Sequence, residues 1–145
     1  MKKLLFATLL SAAFAANSAE VGLTAGKVKA HDQNVYSLSL GTSLLGLKVS
    51  SEVKLAKDVY TSVGADVGKE FKVWKVGVTP HIGGAYVQSD LRGKESGSVI
   101  STGVEFSYNL TKGIALVGDY SYTWDLQSKT DFQGGQFMAG IRVNF

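Results

Sequence analysis

The stretch Phe137-Met138-Ala139-Gly140-Ile141-Arg142-Val143-Asn144-Phe145 decides how this chain is read. Counting back from Phe145, every second residue is apolar (Val143, Ile141, Ala139, Phe137), and Met138, Gly140, Arg142 and Asn144 stand between them. Alternation with period two marks a β-strand with one oily face and one mixed face. Chain ends of soluble proteins are generally frayed and polar, so a strand ending on Phe is unusual there. It is natural in a closed barrel within a membrane, where the last strand must pair with the first.

The same alternation recurs along the chain. Val21, Leu23 and Ala25 share a face against Gly22, Thr24 and Gly26, and Tyr36, Leu38 and Leu40 share one against Ser37, Ser39 and Gly41. A tight turn near Ser43 to Gly46 leads to Leu47, Val49, Ser51, Val53 and Leu55, with Lys48, Ser50, Glu52 and Lys54 between. Val59, Thr61, Val63, Ala65 and Val67 then alternate with Tyr60, Ser62, Gly64, Asp66 and Gly68. A turn at Lys69-Glu70 is expected to feed a fifth strand carrying Trp74, Val76, Val78, Ile82 and Tyr86, opposed by Lys75, Gly77, Thr79, His81 and Gly83.

Ile100 to Tyr108 and Ile114 to Trp124 follow the same pattern around an Asn109-Leu110-Thr111-Lys112-Gly113 turn, and the terminal strand completes the set. The expectation is therefore eight antiparallel strands of roughly ten residues, long enough to cross a bilayer when tilted. The second, fourth and sixth connections are short, whereas the first, fifth and seventh are longer and polar; the third, around Ala56 to Asp58, is short despite its side. Pro80 cannot donate to a ladder and a closed barrel has no free edge, so a bulge is expected there.

At the other end, Met1-Lys2-Lys3 precedes a mostly apolar run from Leu4 to Ala16. That combination reads as a secretory signal peptide, residues 1–19, cleaved after Ala15 or Ala19 and leaving a barrel domain of residues 20–145. The run is too short to span a bilayer as a helix. Without Lys2 and Lys3, Lys+Arg falls from 15 to 13 against 12 Asp+Glu. The formal charge of +3 thus shrinks to near +1 and indicates no nucleic-acid partner. There are no cysteines, hence no disulfide framework and no thiolate metal site. Seventeen glycines and a single proline, with abundant Val, Ser, Thr and Tyr, suit an all-β chain of one domain.

Alternation alone does not say which face points outward. The apolar set, which includes both tryptophans, is too bulky for the interior of an eight-stranded barrel. The alternate set is rich in Gly, Ser and Thr, whereas a soluble exterior carries dense charge. Aromatics also gather toward strand ends, at Tyr36, Trp74, Tyr86, Phe106, Tyr108, Tyr120, Tyr122 and Trp124, as an interfacial girdle would. The fold expected is an all-β, up-and-down transmembrane barrel with the apolar set in lipid.

The lumen then holds Glu52, Asp66, Glu105 and Asp119 against Lys48, Lys54, Lys75 and Arg142. Buried charges must be paired, so an internal ionic network that plugs the barrel is expected, with Glu105, Asp119 and Arg142 within mutual reach. The other reading leaves some of these charges at the rims, in water.

Three segments carry a family resemblance: Thr79-Pro80-His81-Ile82-Gly83-Gly84-Ala85-Tyr86, Gly103 to Thr111 continuing to Asp119-Tyr120-Ser121-Tyr122, and the terminal Ile141-Arg142-Val143-Asn144-Phe145. Through them the chain resembles the small eight-stranded outer-membrane barrels, the group of the OmpA transmembrane domain, OmpX/Ail and opacity-like proteins. His81 stands where an aromatic is more usual. The resemblance implies a location in the outer membrane of a Gram-negative bacterium. It also implies that Phe137, Ala139, Ile141, Val143 and Phe145 form an insertion signal read by the barrel-assembly machinery. Outer-membrane lipid and lipopolysaccharide are the partners implied, with a monomeric state and no cofactor.

For chemistry the chain offers little. Its two histidines are His31, in a loop, and His81, on the mixed face of a strand. A serine-hydrolase arrangement needs His, Ser and an orienting acid within reach, and no spacing selects such a Ser. Arg92, Lys94 and Glu95 in the longest loop have the chemistry to touch lipopolysaccharide phosphates, although a solvated loop tip is the plainer reading. No catalytic and no metal residue is therefore assigned. The function expected is a structural or surface-exposed barrel protein. Three alternatives remain: a small passive porin, a lipid A-modifying enzyme using His81, and a soluble periplasmic ligand-binding barrel.

Overall fold

The computed structural model describes residues 19–28, 33–57, 59–89, 95–127 and 133–145. The signal-peptide reading up to residue 18, the loop histidine His31, and Arg92 and Lys94 lie outside the described residues. The strands are β1 (Ala19–Val28), β2 (Gln33–Leu44), β3 (Leu47–Ala56), β4 (Tyr60–Gly68), β5 (Phe71–Val73), β6 (Val76–Ser89), β7 (Gly97–Asn109), β8 (Ile114–Asp125) and β9 (Gly134–Asn144). All pairings are antiparallel, and β1 pairs with both β2 and β9. Because β4 also pairs with β6, the sheet closes on itself. Closure leaves no ladder edge, which is the condition for a sheet to sit in lipid.

Nine strands make eight walls because β4 and β5 act as one. Gly68 faces His81 and Phe71 faces Val78, so the register runs unbroken across Lys69 and Glu70. The gap lies opposite Pro80. Lys69 N–H donates to the Pro80 carbonyl at 3.2 Å, but Pro80 has no N–H to return. On its other side Pro80 faces Val104 in continuous register with β7. The expected bulge is therefore absent; the missing donor is accommodated as a ladder gap instead. The expected turn at Lys69-Glu70 is likewise corrected, because the wall continues through β5 and reverses at Trp74-Lys75.

Turns 45–46, 74–75 and 110–113 and both strand termini Ala19 and Asn144 lie at one end, the turn end; the other connections lie at the loop end. Leu45 and Gly46 both have positive φ, 53° and 78°, the backbone of a tight two-residue hairpin turn. Trp74 also has positive φ, 56°. For a residue with a Cβ, that conformation costs roughly 1–2 kcal/mol.

The seam between β1 and β9 is close. A Cβ on Gly140 would overlap the Leu23 carbonyl and lie 2.7 Å from Thr24 Cα. One on Gly26 would overlap the Phe137 carbonyl and lie 2.7 Å from Met138 Cα. These two glycines let the last strand reach the first.

The faces sort as expected. Leu23, Leu38, Val63, Ile82, Leu116 and Ile141 are exposed on the outer face, while Ser37, Ser62, Thr79, Ser107, Ser121 and Arg142 are buried inside. The interior is not uniformly polar, however. Val28, Val35, Tyr60, Val87, Val99 and Met138 pack into an apolar layer across the loop end of the lumen. Strand parity sends them inward, where they pack against one another.

A lumenal charge network

The polar half of the lumen is built by period two. Positions of lumenal parity carry Glu20 on β1, Lys48 on β3, Glu105 on β7 and Arg142 on β9, and all four lie at the turn end. Arg142, 5 % exposed, is the hub. Its Nη1 donates to Glu105 Oε1, its Nε lies 3.4 Å from Glu20 Oε2, and its Nη2 lies 4.0 Å from Glu70 Oε1. Lys48 Nζ completes the ring, 2.8 Å from Glu105 and 2.9 Å from Glu20. Each cation therefore faces two or more carboxylates, which offsets much of the cost of taking charge out of water.

Above this ring lie three further polar contacts. His81 Nε2 and Asp119 Oδ2 are 2.6 Å apart. Ser50 Oγ donates to Asp66 Oδ1 at 2.7 Å. Glu52 accepts from Ser37 Oγ, and its other oxygen lies 3.0 Å from Lys54 Nζ. Gly103 makes room here, since a Cβ on it would lie 2.9 Å from His81 Nε2. Cavities of about 80 Å³ among these charges and about 60 Å³ beside the apolar layer leave space for a few waters.

The arrangement departs from the sequence reading in its partners. Glu105 and Arg142 do meet, but Asp119 pairs with His81 on the far side of β7. Lys75 is not lumenal; it lies exposed in the turn with Nζ 5.3 Å from the Trp74 ring centroid. The sequence reading gives Glu20, Glu70 and His81 no place in the network. The parity of Glu20 with Gly22 and Thr24 was a usable signal for it.

Of the girdle residues, Tyr36, Tyr86, Phe106, Tyr108 and Trp124 are exposed toward strand ends, and Tyr122 lies 4.9 Å from Trp124, ring to ring. Tyr120 falls mid-strand and Trp74 at a turn tip. Phe137, Ala139, Ile141 and Val143 line the outer face of β9, and the Phe145 N–H donates to the Ala19 carbonyl at 2.8 Å.

The closed antiparallel barrel of eight walls matches known structures in fold. Neisserial surface protein A (NspA) superposes with a TM-score of 0.60 at 18 % identity, covering 88 % of this chain and 95 % of that one. The chain has the fold of the small outer-membrane barrels. Ail of Yersinia pestis, in a phospholipid bilayer nanodisc, gives a TM-score of 0.58 at 13 % identity over 88 % of this chain and 97 % of that one. A de novo designed transmembrane barrel gives 0.64 at 10 % identity, over 90 % and 97 %. No protein-family model matches the chain, and no curated protein matches it in sequence. Among the described residues of this barrel, no group of three or more His, Asp or Glu is placed to hold a metal ion.

Proposed function

We propose that the protein resides in the outer membrane of a Gram-negative bacterium as a structural or surface-exposed barrel, without catalysis and without a wide pore. The observation that carries this reading is the inverted partition: large apolar side chains exposed around the outside of the ladder, and an arginine buried within it. In water that exterior would aggregate; in hydrocarbon it is the solvated face. The paired lumenal charges, the apolar layer above them and the small cavities support a plugged lumen over a passive porin. His81 faces the lumen and holds Asp119, away from the lipid, which supports a positioning role over lipid A modification.

On the same reading, outer-membrane lipid and lipopolysaccharide surround a monomer, and the outer face of β9 with Phe145 engages the assembly machinery. Cell fractionation with a heat-shift gel tests the proposal. Expected are recovery with outer-membrane lipid, a mobility change only after boiling in SDS, and no steady current in planar bilayers. Free solubility without detergent, or a steady single-channel conductance, would overturn it.

A further inference from the structure

Charge is distributed unevenly between the two ends of the barrel. The segments joining strands at the loop end, 29–32, 57–59, 90–96 and 126–133, hold five basic and five acidic residues. At the other end, the turns 45–46, 74–75 and 110–113 together with the last stretch of wall before a turn, 69–73, hold four lysines (Lys69, Lys72, Lys75 and Lys112) and one acid, Glu70. Glu70 is engaged inward, at 4.0 Å from Arg142 and 3.7 Å from Lys72. Positive charge is thus concentrated around the turns, where Glu20 and Glu70 are taken up by lumenal partners.

Lys69 and Lys75 sit among apolar tips. Leu45 is 96 % exposed and Trp74 80 % exposed, and both occupy left-handed backbone positions where Asn or Gly is usual. Lys69 Nζ lies 5.6 Å from the Phe71 ring centroid and Lys75 Nζ 5.3 Å from that of Trp74. Phe71, Val73 and Val76 carry the apolar exterior of the barrel without a break down to the turn. An ammonium held over an aromatic ring at the end of a lipid-facing belt suits the boundary between hydrocarbon and phosphate.

We propose that the turn end is a docking collar for anionic phospholipid headgroups, which seats the turns within the leaflet on that side. This rests on the membrane reading above. Continuity with the apolar belt favours lipid over an acidic protein, and the local excess of lysine favours an anionic over a zwitterionic headgroup.

The two tryptophans permit a direct test. In Trp124→Phe, Trp74 is the sole indole. The protein is reconstituted in mixed phosphatidylglycerol–phosphatidylcholine vesicles with bromine, near the headgroup end of the acyl chains, on one lipid or the other. Quenching of Trp74 should be greater with brominated phosphatidylglycerol, by about twofold or more. That ratio should fall to about one when Lys69, Lys75 and Lys112 are changed to Gln, in a variant whose heat shift shows it folded. Equal quenching by the two lipids, or a ratio unmoved by the substitutions, overturns the inference. Trp124, read in Trp74→Phe, separates the failures. If lipid quenches Trp124 but not Trp74, the turns stand in water or against a protein, and only the collar is wrong. If it quenches neither, the membrane reading fails and the collar with it.

Discussion

Arg142 on the last strand reaches Glu105 on β7 past the whole width of β8, through a hydrogen bond from Nη1 to Oε1. The contact spans the lumen rather than a ladder pair, since Arg142 faces Ala115 and Glu105 faces Asp119 in register. Removing the guanidinium leaves Glu20, Glu70 and Glu105 with Lys48 and Lys72 alone. Arg142→Ala should cost about 3–5 kcal/mol, the usual penalty for orphaning a buried charge. Urea unfolding of the barrel in lipid measures it. Arg142→Met combined with Glu105→Gln should recover more than half; no recovery would mean the loss was of packing and not of charge.

The β1–β9 seam tolerates no side chain at its closest points. Gly140→Val pushes a branched Cβ into the Leu23 backbone, so the last strand should fail to close. The heat-shift gel should show only the unfolded mobility. Gly84→Ala is the control, because the nearest atom to its new Cβ is 3.6 Å away. A normal heat shift for Gly140→Val would show that the seam is looser than described.

Orientation is tested by a charge on the outer face. Ile82, exposed on β6, should lose about 2–4 kcal/mol of stability as Ile82→Arg if it lies near the bilayer midplane. A soluble barrel would accept the same change on its surface with almost no effect. An unfolding midpoint in lipid unchanged from wild type would therefore contradict the outward-in-lipid assignment.

Pro80 leaves one rung of the β4–β6 wall incomplete. Pro80→Val restores an N–H opposite the Lys69 carbonyl on an exposed outer position. One added hydrogen bond should stabilise the barrel by roughly 0.5–1.5 kcal/mol. Slower exchange of the new amide and a raised urea midpoint should appear together. Destabilisation instead would indicate that the proline ring's preset φ matters more than the rung.

Met138 belongs to the apolar layer and is 2 % exposed. Met138→Ala should cost about 2–5 kcal/mol through the cavity it leaves. Met138→Leu, which keeps the volume, should cost less than about 1.5 kcal/mol. Urea unfolding of both variants in lipid decides. Equal, small effects would mean that this end of the lumen is loosely filled and that the seal lies elsewhere.

How much of this was legible beforehand follows from the range of each interaction. Alternation at Leu23, Gly22 and Thr24, or at Ile141, Arg142 and Val143, is a property of neighbouring residues, so the walls, their number and their outward face could be read one strand at a time. The Leu45-Gly46 reversal was legible for the same reason. Trp74-Lys75 was not, because nothing local marks it as the turn in preference to Lys69-Glu70; the pairing of Phe71 with Val78 decides. The lumen was harder still. Parity says that Glu105, Asp119 and Arg142 point inward, but which cation each meets depends on the tilt and stagger of the closed barrel, which set the relative heights of the strands. That geometry gave Asp119 to His81, brought Glu20 to Lys48, and stacked Val35 and Met138 into one layer. By itself the sequence determined that this chain makes an eight-walled barrel with its greasy side out. Only the tertiary structure decided how the inside is sorted, because a side chain's facing is local whereas its partner across a lumen is set by the stagger of all eight walls at once.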